Sequence, residues 1–142
     1  MAKDPISIAR ENIEAGNAQD WPRFKATLTD GVVYDEVGTG RKVKGADQWV
    51  EAYQGWFKAF PDVKGKITNA FASGDNTATV EVTWDGTQTG PFAGPAGTLP
   101  PSGKRQVTRA TLVLTLDDGK IKEAHHYFDM LSLLQQIGAR PS

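Results

Sequence analysis

The residues best suited to chemistry lie close together near the end of the chain, in the segment HHYFD. His125 and Asp129 have side chains that exchange protons, and Tyr127 between them has a phenol. Side chains alternate between the two faces of a strand, so these three share one face if the strand extends to Asp129. An apolar cavity disfavours the charged form of a carboxyl group, which would suit Asp129 to proton transfer beside a carbonyl.

Asp129 has a second possible role, as a helix cap. Asp is a favoured N-cap, and apolar residues follow it at helical spacing: Met130, Leu133, Leu134 and Ile137. Backbone N–H groups bonded to the carboxylate would hold it charged and weaken it as a base. The pattern alone favours the cap, and both interpretations stay open.

The only two histidines, His125 and His126, are adjacent. Adjacent strand residues point to opposite faces, so both could not bind one metal ion in a pocket, and we predict no metal site. His125 is the candidate to assist Asp129. For His126 we expect a structural role, hydrogen-bonded inside or facing solvent.

Aromatic residues supply most of the expected ligand contacts. A helical face runs through Ala46 to Phe60, and we expect it to serve both as core and as pocket wall, with Tyr53 favoured because a buried hydroxyl needs a polar partner. The candidate substrate-binding residues are Tyr34, Trp49, Tyr53, Phe57, Trp84, Gln88, Phe92, Arg109 and Tyr127. For Arg109 we prefer a cross-strand pair with Glu81 or Glu123, with ligand contact or solvent as alternatives.

Regular elements must position these residues. The segment GTQTGPFAGPAGTLPPSG, residues 86–103, is rich in Gly and Pro and predicts an irregular rim or lid of a binding site. The patterns predict helices over Pro5–Gly16, Asp20 to about Leu28, Ala46–Phe60 and Met130–Ile137, and strands over 31–37, Lys64–Ser73, Asn76–Trp84, Arg105–Leu116 and Lys120–Phe128.

This order predicts one α+β domain over residues 1–142, with a strongly curved, mainly antiparallel sheet wrapped around the helices and an internal small-molecule cavity. Lys and Arg total 16 against 17 Asp and Glu, so no basic surface indicates nucleic acid or membrane. A hydrophobic small molecule fits better as the partner. With no cysteine, no signal core and no apolar run of membrane-spanning length, we expect a cytoplasmic protein.

An ordered series of motifs resembles the SnoaL-like polyketide cyclases over about Asp20 to Gly138. The motifs are FPD at Phe60–Asp62, WDGTQTGPF at Trp84–Phe92, PPSGK at Pro100–Lys104, DGKI at Asp118–Ile121 and YFDMLSLLQQIG at Tyr127–Gly138. The resemblance implies the cone-shaped barrel of the nuclear transport factor 2 superfamily, assembly as a homodimer or higher homo-oligomer, and no cofactor or metal.

In cyclases of this type, an aspartate at the end of the last strand is the acid/base of an intramolecular aldol ring closure, and its position matches Asp129. The resemblance therefore implies a cofactor-independent enzyme acting on a polyketide-like carbonyl compound. The family commonly has a histidine where this chain has Gln88, and an amide exchanges no protons near neutral pH. The alternatives are a non-catalytic binding protein for a hydrophobic small molecule, and a related isomerase or hydrolase on the same scaffold.

Overall fold

Residues 4–94 and 97–139 of the chain are described by a computed structural model. Four helices and eight strands follow one another in the described residues. The helices are α1 (Pro5–Asn17), α2 (Trp21–Lys25), α3 (Ala46–Ala59) and α4 (Met130–Gln136). The strands are β1 (Leu28–Glu36), β2 (Arg41–Lys44), β3 (Lys64–Ser73), β4 (Thr77–Thr87), β5 (Phe92–Gly94), β6 (Gly97–Leu99), β7 (Arg105–Asp117) and β8 (Lys120–Phe128).

Six strands form one mixed sheet in the order β2-β1-β8-β7-β4-β3. Its pairs are antiparallel except β1 with β8, which run parallel. The α+β class and the mainly antiparallel sheet are confirmed. The sheet is not closed into the predicted barrel, because β2 and β3 stand at its two edges without pairing to each other.

Capping residues explain where the first two helices begin. The carboxylate of Asp4 accepts the backbone N–H of Ile6 at the start of α1, and Asp20 accepts that of Arg23 in α2. The prediction that α2 reaches Leu28 was wrong. The helix ends at Lys25, and Leu28 is the first residue of β1. The carbonyl of Thr27, just before it, accepts the backbone N–H of Ile121 in β8.

The helices pack on the inner face of the sheet. Alternate residues of β7 are buried there, among them Leu112, Leu114 and Leu116. Trp49 of α3 stacks on Tyr34 of β1 with ring centroids 4.6 Å apart and planes 7° from parallel. The long aromatic helix therefore forms the centre of the core.

The segment 86–103 contains more regular structure than its composition predicted. Strand β4 continues to Thr87, and β5 pairs with β6 as a second, two-stranded sheet. Residues 95 and 96, within that segment, lie outside the described residues. The backbone N–H of Gly90 donates to the carbonyl of Ala59, so this segment is held against the end of α3. Close approach of backbones explains why glycine is needed there.

Candidate functional site

An apolar cavity lies between the inner face of the sheet, α3 and α4. Its volume is about 60 Å³, room for about four water molecules, and it opens to solvent on one side. A polycyclic ligand would therefore require the lining side chains to move or would lie partly in the mouth. The lining residues are Tyr53, Trp56, Phe57, Phe60, Val63, Trp84, Gln106, Thr108, His126, Phe128 and Leu133.

His126 of β8 is the one imidazole in the wall of this cavity. The indole N–H of Trp84 donates to its Nε2 at 3.1 Å, and its Nδ1 lies 2.7 Å from the hydroxyl of Tyr34. An indole nitrogen only donates, so Nε2 accepts and the proton of the neutral ring lies on Nδ1. Nδ1–H therefore donates to Tyr34.

The environment of His126 keeps this imidazole neutral. Burial lowers its pKa from 6.5 to about 4, and the negative charge of Glu36 partly offsets that effect. The ring is the free base at neutral pH. Its Nε2 lone pair accepts the indole N–H of Trp84, which also lines the cavity.

Behind His126 lies a fully buried carboxylate, Glu36 at the end of β1. The hydroxyl of Tyr34 donates to its Oε2 at 2.8 Å. Three more donors reach it: Trp56 Nε1 at 3.0 Å, Thr39 Oγ1 at 2.6 Å and Arg41 Nη2 at 2.9 Å. A continuous chain of hydrogen bonds thus joins the cavity to an ion pair with a partly exposed arginine.

Tyr53 of α3 lies in the wall of the cavity. Its hydroxyl is buried and has no hydrogen-bond partner among the described residues, and burial raises its pKa. A buried hydroxyl without a partner is costly, so a hydrogen bond to this group would be stabilising. Tyr53 thus lies where a pocket residue was expected, in the wall of the cavity.

The structure turns His125 and Tyr127 away from the cavity. Parallel pairing of β1 with β8 aligns Glu36 with His126 and Asp35 with His125. The first pair faces inward and the second faces outward. On the outer face, His125 Nδ1 lies 3.2 Å from Asp35 and its Nε2 lies 2.7 Å from Glu123. Tyr127 is exposed beside it. The expected convergence inside a pocket was therefore wrong by one residue.

Asp129 does not line the cavity either. Strand β8 ends at Phe128, so the extension that would have carried Asp129 along the sheet does not occur. Its side chain is exposed, and Oδ1 accepts the backbone N–H of Ser132 at 2.9 Å as the N-cap of α4. The position is that of the cap interpretation.

The remaining candidates divide into three groups. Phe57 and Trp84 line the cavity with Tyr53, as predicted. Tyr34 and Trp49 are fully buried behind the wall. Phe92 contacts Trp56 beside a separate outer groove, whose wall also includes Thr39 and Arg41.

Gln88 and Arg109 lie away from the cavity. The buried amide of Gln88 donates to the carbonyls of Gly90 and Pro100 and accepts the N–H of Ser102, so it holds the loop together. Arg109 is exposed and lies opposite Thr83, whereas Glu81 lies opposite Thr111. The preferred ion pair of Arg109 with Glu81 is therefore out of register.

The sequence pattern missed His126 and Glu36 as site residues. A signal for Glu36 was present: Tyr34 and Glu36 alternate on one strand, and a strand long enough to bury Tyr34 also buries Glu36. Among residues 4–94 and 97–139, no three His, Cys, Asp or Glu side chains cluster so that they could hold a metal ion. None of the helices in those residues has the length and apolar character needed to cross a membrane.

Several solved structures have the same fold as this chain. A protein from Jannaschia sp. CCS1, provisionally described as a SnoaL-like polyketide cyclase, is 25% identical with a TM-score of 0.84, covering 96% of this chain and 93% of that one. IdmH from Streptomyces antibioticus, provisionally described as a polyketide cyclase, is 21% identical with a TM-score of 0.83, covering 96% and 100%. A protein from Catenulispora acidiphila with a ketosteroid isomerase-like fold is 17% identical with a TM-score of 0.81, covering 97% and 96%.

The fold and the cavity define a cone-shaped α+β protein of the nuclear transport factor 2 class. The model of the SnoaL-like polyketide cyclases matches residues 6–137, and the chain belongs to this family. Comparison with curated proteins gave no match.

Proposed function

We propose that this protein is a cofactor-independent enzyme that closes a ring in a polyketide-like carbonyl compound by an intramolecular aldol reaction, with His126 as the acid/base. One observation carries the proposal: His126 is a neutral imidazole in the wall of an apolar cavity, and the same wall includes Tyr53, whose hydroxyl has no hydrogen-bond partner among the described residues. Family membership supports the reaction class.

The step needs one proton acceptor and one hydrogen-bond donor. Nε2 of His126 takes a proton from the carbon next to a carbonyl, and the hydroxyl of Tyr53 donates to the enolate oxygen. The enolate carbon attacks a second carbonyl carbon of the same molecule. A carbon–carbon bond forms, the π bond of that carbonyl breaks, and its oxygen takes the proton back from the imidazolium.

The substrate must first displace the indole of Trp84 from Nε2, because that lone pair is occupied in the structure. The aromatic walls then orient the flexible chain, and orientation supplies much of the acceleration in such a reaction. In this proposal Asp129 keeps the role its position supports, as the cap of α4.

The test is turnover by His126→Gln on a panel of linear polyketide-like diketo esters, with ring-closed product separated by chromatography. We expect the variant to lose about 10² to 10⁴ in kcat with little change in ligand affinity, the usual effect of removing a general acid/base. His125→Gln is the matched control on the outer face and should keep wild-type turnover. Wild-type turnover by His126→Gln would overturn the proposal.

A second candidate is a non-catalytic binding protein for a hydrophobic small molecule. The bond from Trp84 favours it, because no lone pair of His126 is free to act as a base in the structure. This candidate predicts that the wild-type protein retains the diketo esters unchanged. Mass spectrometry and chromatography of the bound compound after incubation distinguish retention from ring closure.

A further inference from the structure

We propose that Tyr34 and Glu36 are positioning residues for His126: Tyr34 fixes the proton on Nδ1, and the charge of Glu36 stabilises the imidazolium that forms when Nε2 takes a substrate proton. The inference rests on the proposed function of His126. It assigns a task to a buried carboxylate that does not itself line the cavity.

The direction of every hydrogen bond in the chain follows from one donor. The indole of Trp84 can only donate to Nε2, so Nδ1–H must donate to the oxygen of Tyr34. The hydroxyl proton of Tyr34 is then directed to Oε2 of Glu36. The opposite order would place two N–H groups against each other at Nε2.

The surroundings of Glu36 suit it to act as a fixed negative charge. All four of its partners are donors, from Tyr34, Thr39, Arg41 and Trp56, and the carboxylate is the charged acceptor they require. Tyr34 and Trp56 donate to Oε2, and Thr39 and Arg41 donate to Oε1, so both carboxylate oxygens are held in place. A fixed charge near a developing positive charge needs no rearrangement when the proton arrives, which is the principle of electrostatic preorganisation.

His126 needs this help because burial makes it a weak base. With its pKa lowered to about 4, the imidazolium is unstable in the cavity unless a negative charge is near. The groups around His126 are Tyr34 and, behind it, Glu36 from β1, Tyr53 from α3, Trp84 from β4, and Gln106 and Thr108 from β7. Glu36 is the one acidic group in this set, and Arg41 from β2 opposes it.

The chain supplies a matched control on the opposite face of the same two strands. Asp35 contacts His125 on the outer face, whereas Glu36 is linked to His126 through Tyr34 on the inner face. Asp35 lies outside the cavity. Asp35→Asn therefore removes one carboxylate charge from β1 without changing the hydrogen-bond chain behind His126.

The experiment follows the ring nitrogens of His126 by ¹⁵N NMR as a function of pH, in the protein without ligand. In the wild type we expect a neutral ring with its proton on Nδ1. Glu36→Gln should lower the pKa of His126 by about one unit, and Arg41→Gln, which leaves Glu36 without its counter-ion, should raise it by a similar amount. Asp35→Asn should change neither the pKa nor the position of the proton.

Opposite shifts from Glu36→Gln and Arg41→Gln would support a charge effect, because simple loss of structure would not change sign. Tyr34→Phe should lower the fraction of rings with the proton on Nδ1. Unchanged titration of His126 in Arg41→Gln, whose side chain is partly exposed, would overturn the inference even if Glu36→Gln fails to fold. The NMR result is independent of turnover, so the proposed function can fail in the activity assay without deciding this question.

Discussion

At the scale of single residues, the acidic side chain considered for catalysis lies outside the cavity, and one with no predicted role lies buried behind its wall. Asp129, at the end of the last strand, is an exposed cap, whereas Glu36 is fully buried behind the imidazole of the cavity. For Glu36, the alternation of inward and outward side chains along β1 decides this outcome. For Asp129, the end of β8 at Phe128 decides it. A shift of one residue exchanges the inner and outer faces of a strand.

The cap of α4 gives a stability prediction. Asp129→Ala removes the acceptor of the Ser132 N–H and should lower the free energy of unfolding by about 1 kcal/mol, whereas Asp129→Asn should change it little because Asn also caps helices. Urea denaturation at neutral pH measures both. Equal stability of the alanine variant and the wild type would show that the cap contributes nothing.

At the scale of elements, α3 and the segment that follows β4 depend on close packing at Gly90. A Cβ added there would lie 2.0 Å from the carbonyl oxygen of Lys58, which is backbone and cannot move aside. Gly90→Ala should therefore lower the free energy of unfolding by about 2 kcal/mol or more, in the range of overpacking effects. Urea denaturation is again the measurement.

The matched control is Gly55→Ala in the middle of α3, where an added Cβ meets nothing within 4 Å. Alanine is the better helix former, so this variant should gain about 0.5 to 1 kcal/mol. If both variants changed stability in the same direction, the close contact at Gly90 would not be the cause of the loss.

Much of the architecture was predictable from periodicity and punctuation. The helical period through α3, the caps at Asp4 and Asp20, and the long strands β3, β7 and β8 were identified because each has a strong local pattern. Strand β2 and the pair β5 and β6 were missed, since three or four residues in Gly-rich segments carry too little pattern. Strand register was also beyond local pattern, because β1 pairs with a strand about 90 residues away.

The same limit applied to the site. Tyr53, Phe57 and Trp84 were predictable as cavity residues from the helical face and from their size. His126 could be told from His125 only through the register of β1 with β8. The polar chain behind it joins residues of four separate elements and leaves no spacing motif in the sequence.

At the scale of the whole molecule, the buried imidazole links stability to pH. The pKa of His126 is about 4 in the folded chain and 6.5 as the ordinary value, so between these values the unfolded chain binds a proton that the folded chain does not. Stability from this group is complete above pH 6.5 and is lost as the pH falls toward 4. The loss should be on the order of 3 kcal/mol.

Urea denaturation of the wild type at pH 7 and pH 4.5 measures this loss. His126→Gln should show a clearly smaller difference between the two pH values, because glutamine does not titrate. His125→Gln, on the outer face, should keep most of the wild-type difference. An identical pH dependence in His126→Gln and the wild type would contradict a neutral, buried imidazole surrounded by Tyr34, Tyr53, Glu36 and Arg41.

The most direct test of the account compares His126→Gln with Asp129→Asn in one assay, exchange of the proton beside a carbonyl for deuterium in D₂O, followed by NMR on a diketo ester. The assay detects proton removal even where ring closure does not follow. We expect Asp129→Asn to exchange at the wild-type rate and His126→Gln to lose about 10² or more. Wild-type exchange by His126→Gln with loss in Asp129→Asn would contradict the account and give the acid/base role to Asp129.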